Sequence, residues 1–277
     1  MMHSIINLID IALNEDLGFG DITTDAIISM ELIGLGDVIA KEHFIVAGLE
    51  IARDVFRRLD PHVFFSTIFK DGDAVKTGQV VFSVQGALAS VLKAERTALN
   101  FIQRLSGIAT LTRTYVDQLK DQPVKIVDTR KTTPGWRALE KYAVKIGGGA
   151  NHRMGLFDGV LIKDNHIAAC GGITAAVCAA RNQVHHLVKI EVEVTNLAEL
   201  AEALSSGADV IMLDNMTHAQ IQEAVKKING RVLVEVSGNV TIDKLNRLAQ
   251  TGVDLISVGA LTHSAKSVDM SMKIRKQ

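Results

Sequence analysis

From Asp128 to Ile167 the chain reads DTRKTTPGWRALEKYAVKIGGGANHRMGLFDGVLIKDNHI. Five of its basic residues, Arg130, Lys131, His152, Arg153 and Lys163, stand at loop starts and strand ends rather than along helix faces. A guanidinium grips a carboxylate or phosphate with two parallel hydrogen bonds, whereas an ammonium acts as a compact point charge. The mixture suits a ligand with several anionic groups. The alternative for any one of these residues is a solvated surface charge.

Further along, Glu193 and Asp214 are carboxylates at the ends of neighbouring apolar runs. They suit ribose hydroxyls, or a Mg²⁺ ion held jointly with substrate phosphates and water, but their spacing does not define a cage made of protein ligands alone. Ser237-Gly238-Asn239 and Val258-Gly259-Ala260 each follow a strand-like run. Small residues there let backbone amides approach a phosphate, and a following helix would present its positive end. Either segment alone is equally a plain turn. As a pair of adjacent loops late in a barrel, they match the usual phosphate site of that architecture.

These residues need strands that deliver them to one end of a sheet. Ile126-Val127 is a β-branched run that breaks off into polar residues ending in Pro134-Gly135. A helix is predicted from Trp136, with Leu139, Tyr142, Ala143 and Ile146 on one face, stopping at Gly147-Gly148-Gly149. After Pro123 the runs KIVDT, VLIKD, KIEVEV, VIMLD, LVEVSG and LISVG alternate with helical segments, the rhythm of successive βα units. Asp128, Lys163, Glu193, Asp214, Ser237 to Asn239 and Gly259 fall at or just past the C-terminal ends of these runs, where parallel barrels assemble their sites. The expected fold is α/β: an irregular, incomplete barrel of about six or seven βα units over residues 108–277.

Residues 1–107 read differently. A helix over 4–13 precedes an acidic, glycine-containing loop from Glu15 to Thr24. A strand pattern over 34–47, an amphipathic helix over 48–60, and strands over 62–69 and 79–85 follow without regular alternation, which predicts an N-terminal α+β sandwich domain. A long helix from Leu88 is expected to break at Ser106-Gly107, the predicted domain boundary, and to resume as far as Leu119. The last stretch, Asp269 to Gln277, reads as a helix with a basic end that could pack back on the N-terminal domain.

Lys plus Arg (30) balance Asp plus Glu (31), and aromatics are 4% of the chain, which argues against a nucleic-acid surface with stacking platforms. No apolar run approaches the ~20 residues of a membrane span, and the start lacks the regions of a signal peptide, so a cytoplasmic protein is expected. Cys170 and Cys178 form no metal or redox motif; in an alanine-rich helical stretch, small buried residues are expected there.

DTRKTTPG, GGGANHR and DGVLIKDNHI resemble the signature of the quinolinate phosphoribosyltransferase family, and the resemblance runs from Glu15-Asp16 to the SVGALTHSA segment. It implies transfer of phosphoribosyl from phosphoribosyl pyrophosphate to quinolinate with decarboxylation, in the de novo synthesis of NAD, with Mg²⁺ as the metal. It also implies roles. Thr129, Arg130, Lys131, His152, Arg153 and Lys163 would surround the dicarboxylate, joined by Arg96 of the AER motif from a partner subunit. Lys131, Glu193, Asp214, Ser237 to Asn239 and Val258 to Ala260 would take the phosphoribosyl group and the metal, and Lys163, Glu193 and Asp214 would be the catalytic set. The implied assembly is a homodimer with shared sites, or a hexamer of such dimers. The residues alone leave rivals open: an aldolase-like barrel with Lys163 as a Schiff-base lysine, a module that only senses a phosphorylated metabolite, and a molybdenum-operon paralogue with another substrate. Arg130 and Arg153, as two carboxylate-binding arginines, favour quinolinate over the last.

Overall fold

The computed structural model describes residues 2–275, with side chains from residue 5 onward. In chain order the elements are α1 (Met2–Leu17), α2 (Ile22–Ile27), β1 (Ile33–Ala40), β2 (Phe44–Ile45), α3 (Leu49–Leu59), β3 (Phe64–Ser66), β4 (Ala74–Val75), β5 (Val80–Ala87) and α4 (Leu88–Asp117). There follow β6 (Lys125–Val127), α5 (Arg137–Ile146), β7 (Val160–Ile162), α6 (Asp164–Cys170), α7 (Ile173–Gln183), β8 (Ile190–Val194), α8 (Leu197–Ser205) and β9 (Val210–Asp214). The remainder is α9 (His218–Ile228), β10 (Leu233–Ser237), a 3₁₀ turn (Ile242–Lys244) leading into α10 (Leu245–Ala249), β11 (Leu255–Ser257), α11 (Ala260–His263) and β12 (Met270–Arg275).

Two compact units result. One consists of residues 1–113, 133–148 and 264–277, the other of residues 114–132 and 149–263. The first unit holds an antiparallel sheet in the order β12-β1-β5-β3 and a small β2-β4 pair. Its core is built where Phe82 of β5 meets Phe56 of α3 edge-on at 6.1 Å and stacks on Phe65 of β3 at 4.6 Å. The buried face of α4, including Val91, Ala98, Leu99, Ile102 and Leu105, completes it.

Three sequence expectations are corrected in this unit. Helix α4 runs unbroken through Ser106 and Gly107. Gly107 is there for close approach rather than to end the helix: a Cβ at that position would fall 1.9 Å from the Lys266 carbonyl oxygen. The stretch 269–277 is not a helix over its described part; Met270–Arg275 is a strand paired antiparallel with β1, and residues 276–277 lie outside the described residues. The alternation Met-Ser-Met-Lys-Ile-Arg is a period-two pattern that belongs to a strand, and Arg275 closes the pairing with an ion pair to Asp37 at 2.6 Å. The acidic loop is largely helical: Glu15 to Leu17 extend α1, and Asp21 caps α2 by accepting from the Thr23 and Thr24 amides.

The second unit is a parallel six-stranded sheet in the order β6-β11-β10-β9-β8-β7. Among the described residues the ladder does not close: β6 and β7 are its edges, and only an isolated parallel bridge, Val127 to Ala150, extends it past β6. This is the incomplete barrel. Along each strand alternate residues face opposite ways. Ile190, Val192 and Val194, Ile211 and Leu213, and Val234 and Val236 form buried apolar rows on one face. On the other face the registers pair Glu193 with Met212 and Met212 with Glu235, and, one step toward the C-terminal end, Asp214 with Ser237. Polar side chains therefore line the inner face of a sheet whose outer rows are apolar. Cys170 and Cys178, expected to be buried, are both exposed.

Candidate active site

A cavity of about 520 Å³ opens at the C-terminal ends of these strands. It gathers Thr129, Arg130, Lys131, His152, Arg153, Lys163, Glu193, Asp214, Ser237, Gly238 and Asn239. It also takes in Leu161, Met212, Asn215, Glu235 and Ser257, none of which the sequence reading singled out.

The loop after β6 and the segment after Ala150 are tied together by Asp128, which is fully buried. Its carboxylate accepts from the His152 amide at 2.9 Å and from Asn151 Nδ2 at 2.8 Å, so the Asp128 of DTR holds the NHR segment in place. The following turn is pinned in the same way, with Asp158 accepting from the amides of Met154 and Gly155 at 2.6 and 2.9 Å. Arg153 Nη1 donates to the Gly159 carbonyl at 3.0 Å, while its buried Nε has no hydrogen-bond partner. Burial and the neighbouring Arg130 cation both lower the pKa of Arg153, with Glu191 and Asp158 acting in the opposite sense. An anionic group arriving between Arg130 and Arg153 would relieve that repulsion.

Beneath the cations lies an acidic floor. His152 Nε2 is 3.0 Å from a Glu191 oxygen and 3.6 Å from a Glu235 oxygen, while the Arg153 amide donates to its Nδ1 at 2.8 Å. The accepting Nδ1 places the ring proton on Nε2, pointing at the glutamates. Glu191 Oε1 and Glu235 Oε1 are buried without partners. Burial, followed by repulsion from Glu191, pushes Glu235 up to about 7. The three groups are close enough to hold a cation, and a shared proton equally accounts for two adjacent buried acids.

On the opposite side Lys163 donates to Glu193 in a close ion pair. Asp214 accepts from Asn215 Nδ2 at 2.8 Å. Each carboxylate thus gives one oxygen to a neighbouring donor, and both residues line the cavity. Glu193 and Asp214 are hard oxygen donors of the kind that could hold a Mg²⁺ ion together with substrate phosphates.

Val258, Gly259 and Ala260 do not line the cavity. Gly259 instead lies under Lys131: an added Cβ would come within 3.0 Å of Lys131 Cδ, and Thr262 Oγ1 donates to the Lys131 carbonyl at 2.8 Å. The helices expected to present a positive end are short, four residues in α11 and five in α10. Such stubs carry little macrodipole, so local N–H groups are what these loops offer an anion. Arg96 is exposed on α4 in the other compact unit.

Two family models cover the chain: the quinolinate phosphoribosyl transferase C-terminal domain over residues 108–273 and the N-terminal domain over residues 21–106. A Bacillus subtilis protein named "Probable nicotinate-nucleotide pyrophosphorylase (carboxylating)" is 47% identical over 260 residues, covering 94% of this chain and 90% of its own. Quinolinate phosphoribosyltransferase (decarboxylating) 1b of Nicotiana tabacum is 43% identical over 291 residues, covering 98% and 83%. The crystal structure of NadC from Streptococcus pyogenes matches with a TM-score of 0.96 at 43% identity, covering 100% of this chain and 98% of that one. With both domain models, full-length relatives and a cationic cavity at the strand ends in agreement, the chain belongs to the quinolinate phosphoribosyltransferase family.

Proposed function

We propose that the chain transfers the phosphoribosyl group of phosphoribosyl pyrophosphate to quinolinate and decarboxylates the product, giving nicotinate mononucleotide, pyrophosphate and carbon dioxide. The observation that carries this reading is the set of cations, Arg130, Lys131, Arg153 and Lys163, that line one cavity. Two polyanions repel each other in water, and a cationic cage is what lets them share a site.

Thr129, Arg130, Lys131, His152, Arg153 and Lys163 take the dicarboxylate in this reading, with Arg96 of the partner subunit. Lys131, Glu193, Asp214 and Ser237 to Asn239 take the phosphoribosyl half, and the Val258 to Ala260 loop, outside the cavity, backs Lys131. Mg²⁺ would be held by Glu193 and Asp214 and, when bound, neutralises charge on the pyrophosphate. The cage holds the ring nitrogen against the anomeric carbon, so the gain is proximity. The nitrogen lone pair forms the new bond as the carbon–oxygen bond to pyrophosphate breaks, and cations facing the departing group stabilise that charge. The ring nitrogen is then formally positive. Loss of the adjacent carboxylate as carbon dioxide leaves its electron pair on the neighbouring ring carbon, where a proton replaces it. No protein nucleophile is required, and Lys163 acts as a charge, in keeping with its ion pair to Glu193. The acting form is a cytoplasmic homodimer.

The test is release of labelled carbon dioxide from carboxyl-labelled quinolinate by the purified protein. It should require both phosphoribosyl pyrophosphate and Mg²⁺. Nicotinate, lacking one carboxylate, would leave a caged cation unpaired, at a cost of several kcal/mol, and should be a very poor acceptor. Comparable turnover of the two acids, or a borohydride-trapped adduct on Lys163, would defeat the proposal.

A further inference from the structure

Among the described residues, three other than glycine have a left-handed backbone: Asn215 (φ 52°), Asn229 (φ 48°) and Asn239 (φ 47°). Asn229 caps the C-terminus of α9, an ordinary use of that conformation. The other two stand just past the ends of β9 and β10, at the rim of the cavity, and are bonded to each other. Asn239 Nδ2 donates to Asn215 Oδ1 at 3.3 Å, and Asn215 Nδ2 donates to Asp214 Oδ2 at 2.8 Å. The Asn215 amide also donates to the Ser237 carbonyl at 3.1 Å. Gly238, at φ 94°, passes so close that a Cβ there would fall 2.2 Å from Asn215 Oδ1.

Ending a parallel strand does not require this arrangement. The residues just past β7, β8 and β11, namely Lys163, Thr195 and Val258, keep ordinary backbone angles. Side chains with Cβ atoms adopt the left-handed region at a cost, and a pair of them at neighbouring strand ends is held there by its surroundings. The bonds show what the arrangement achieves. One side-chain amide faces two ways, its N–H₂ toward the Asp214 carboxylate and its oxygen toward the loop of Ser237, Gly238 and Asn239.

We infer that Asn215 is a positioning residue for the phosphoribosyl half of the site, acting as a clamp that keeps the Asp214 carboxylate and the Ser237–Asn239 loop at one separation. The inference rests on the functional reading above, which gives both of those groups to the phosphoribosyl side. Asparagine suits the position chemically. It tolerates the left-handed backbone and carries a donor and an acceptor on one planar group. Aspartate would lose the donor and set a second negative charge beside Asp214. Glycine would keep the backbone and lose the clamp, which makes it the informative replacement.

The experiment measures binding of phosphoribosyl pyrophosphate with Mg²⁺, and separately of quinolinate, by titration calorimetry, together with steady-state kinetics on wild type, Asn215→Gly, Asn239→Ala and the double variant. Asn215→Gly should melt within a few degrees of wild type, because glycine is at ease at φ 52°. Its Kd and KM for phosphoribosyl pyrophosphate should rise about tenfold or more, as for a lost hydrogen bond to a charged group. Quinolinate affinity should stay within about twofold. Asn239→Ala should shift the same parameters in the same direction. The double variant should fall short of the product of the two single effects, because both remove one shared link. A wild-type protein that binds no phosphoribosyl pyrophosphate would sink the functional reading and this inference together. A wild type that binds it and turns over, beside an Asn215→Gly protein unchanged in both, would sink the inference alone. So would equal loss of affinity for both ligands.

Discussion

At the scale of single residues, the acids under the cationic cage need the most explanation. Glu191 and Glu235 face inward because β8 and β10 alternate, and His152 Nε2 is close to both. Glu235 lies near 4.5 in the unfolded chain and about 7 in the fold. Between those values the folded protein keeps a proton that the unfolded chain has released. The associated stability is complete below about 4.5 and is lost as the pH rises through about 7. Glu235→Gln is neutral throughout. Relative to this variant, the wild type should lose on the order of 1–3 kcal/mol of unfolding free energy between about pH 5 and pH 8. Urea denaturation of both proteins across that range measures it, and a constant difference between them would refute the account. The other two carboxylates, Glu193 and Asp214, should behave differently. Replacing either with its amide should weaken phosphoribosyl pyrophosphate binding far more than quinolinate binding in a calorimetric titration. The reverse pattern would mean that the two halves of the site have been exchanged. Glu191, Glu235 and Asn215 were legible only as anomalies, the first of two glutamates in the run IEVEV, the one glutamate of LVEVS and an asparagine just after VIMLD. Period-two alternation shows that such residues share a face, but not what they meet across it.

At the scale of elements, α4 and the chain that crosses it are the informative pair. Gln103 Nε2 donates to the Met270 carbonyl at 2.9 Å, the Gln103 carbonyl accepts from the Val268 amide at 3.1 Å, and Arg104 Nη1 donates to the Ala265 carbonyl at 2.5 Å. Residues 265–270 are thereby strapped to the helix, and Gly107 makes room for them. The obstacle to a side chain there is backbone, which cannot swing aside. Gly107→Ala should therefore lose about 1–3 kcal/mol or more, despite the ~1 kcal/mol that alanine ordinarily gains over glycine inside a helix. A variant at least as stable as wild type in chemical denaturation would show that the strap yields. Arg104 also donates to Glu140 at 2.9 Å, and Glu140, fully buried, accepts further from the Thr133 amide and hydroxyl. The helix α5 that follows the first barrel strand thus packs in the N-terminal unit. Its sequence predicted a helix correctly but did not reveal which core it would join.

At the scale of the whole molecule, the functional reading assigns Arg96 to a partner's site, so the smallest active unit should be a dimer. Arg96→Ala and Lys163→Ala homodimers should each be inactive. In a two-fold dimer each chain offers its helix to the other. A mixed dimer then has one site with both defects and one with neither. Random mixing makes about half the dimers mixed, so roughly a quarter of wild-type turnover should return if the sites are independent. The measurement is turnover after co-expression or joint reassembly, with mixed dimers verified by mass spectrometry. No recovery would remove Arg96 from a shared site. Among the described residues no helix is long and apolar enough to cross a membrane.

The strands of the second unit and the cavity's cations were readable from the chain alone. Parallel strands announce themselves as short apolar runs, and Arg130, Lys131, His152, Arg153, Lys163, Glu193 and Asp214 sit at the ends of those runs or in the loops just beyond, so position along the chain already implied a common end. Tertiary structure decided what distance in sequence hides. The last strand pairs with β1 across more than two hundred residues, and hydrogen bonding to a distant edge is a property of that edge, not of the segment. Gly107 looked like a helix stop because glycine has low helix propensity; only the passing Lys266 backbone shows that its missing Cβ serves packing. The coupling of His152 to Glu191 and Glu235, and of Asn215 to Asp214 and Asn239, depends on registers between strands. A shift of one residue would turn the strand residues among them, Glu191, Asp214 and Glu235, to the opposite face.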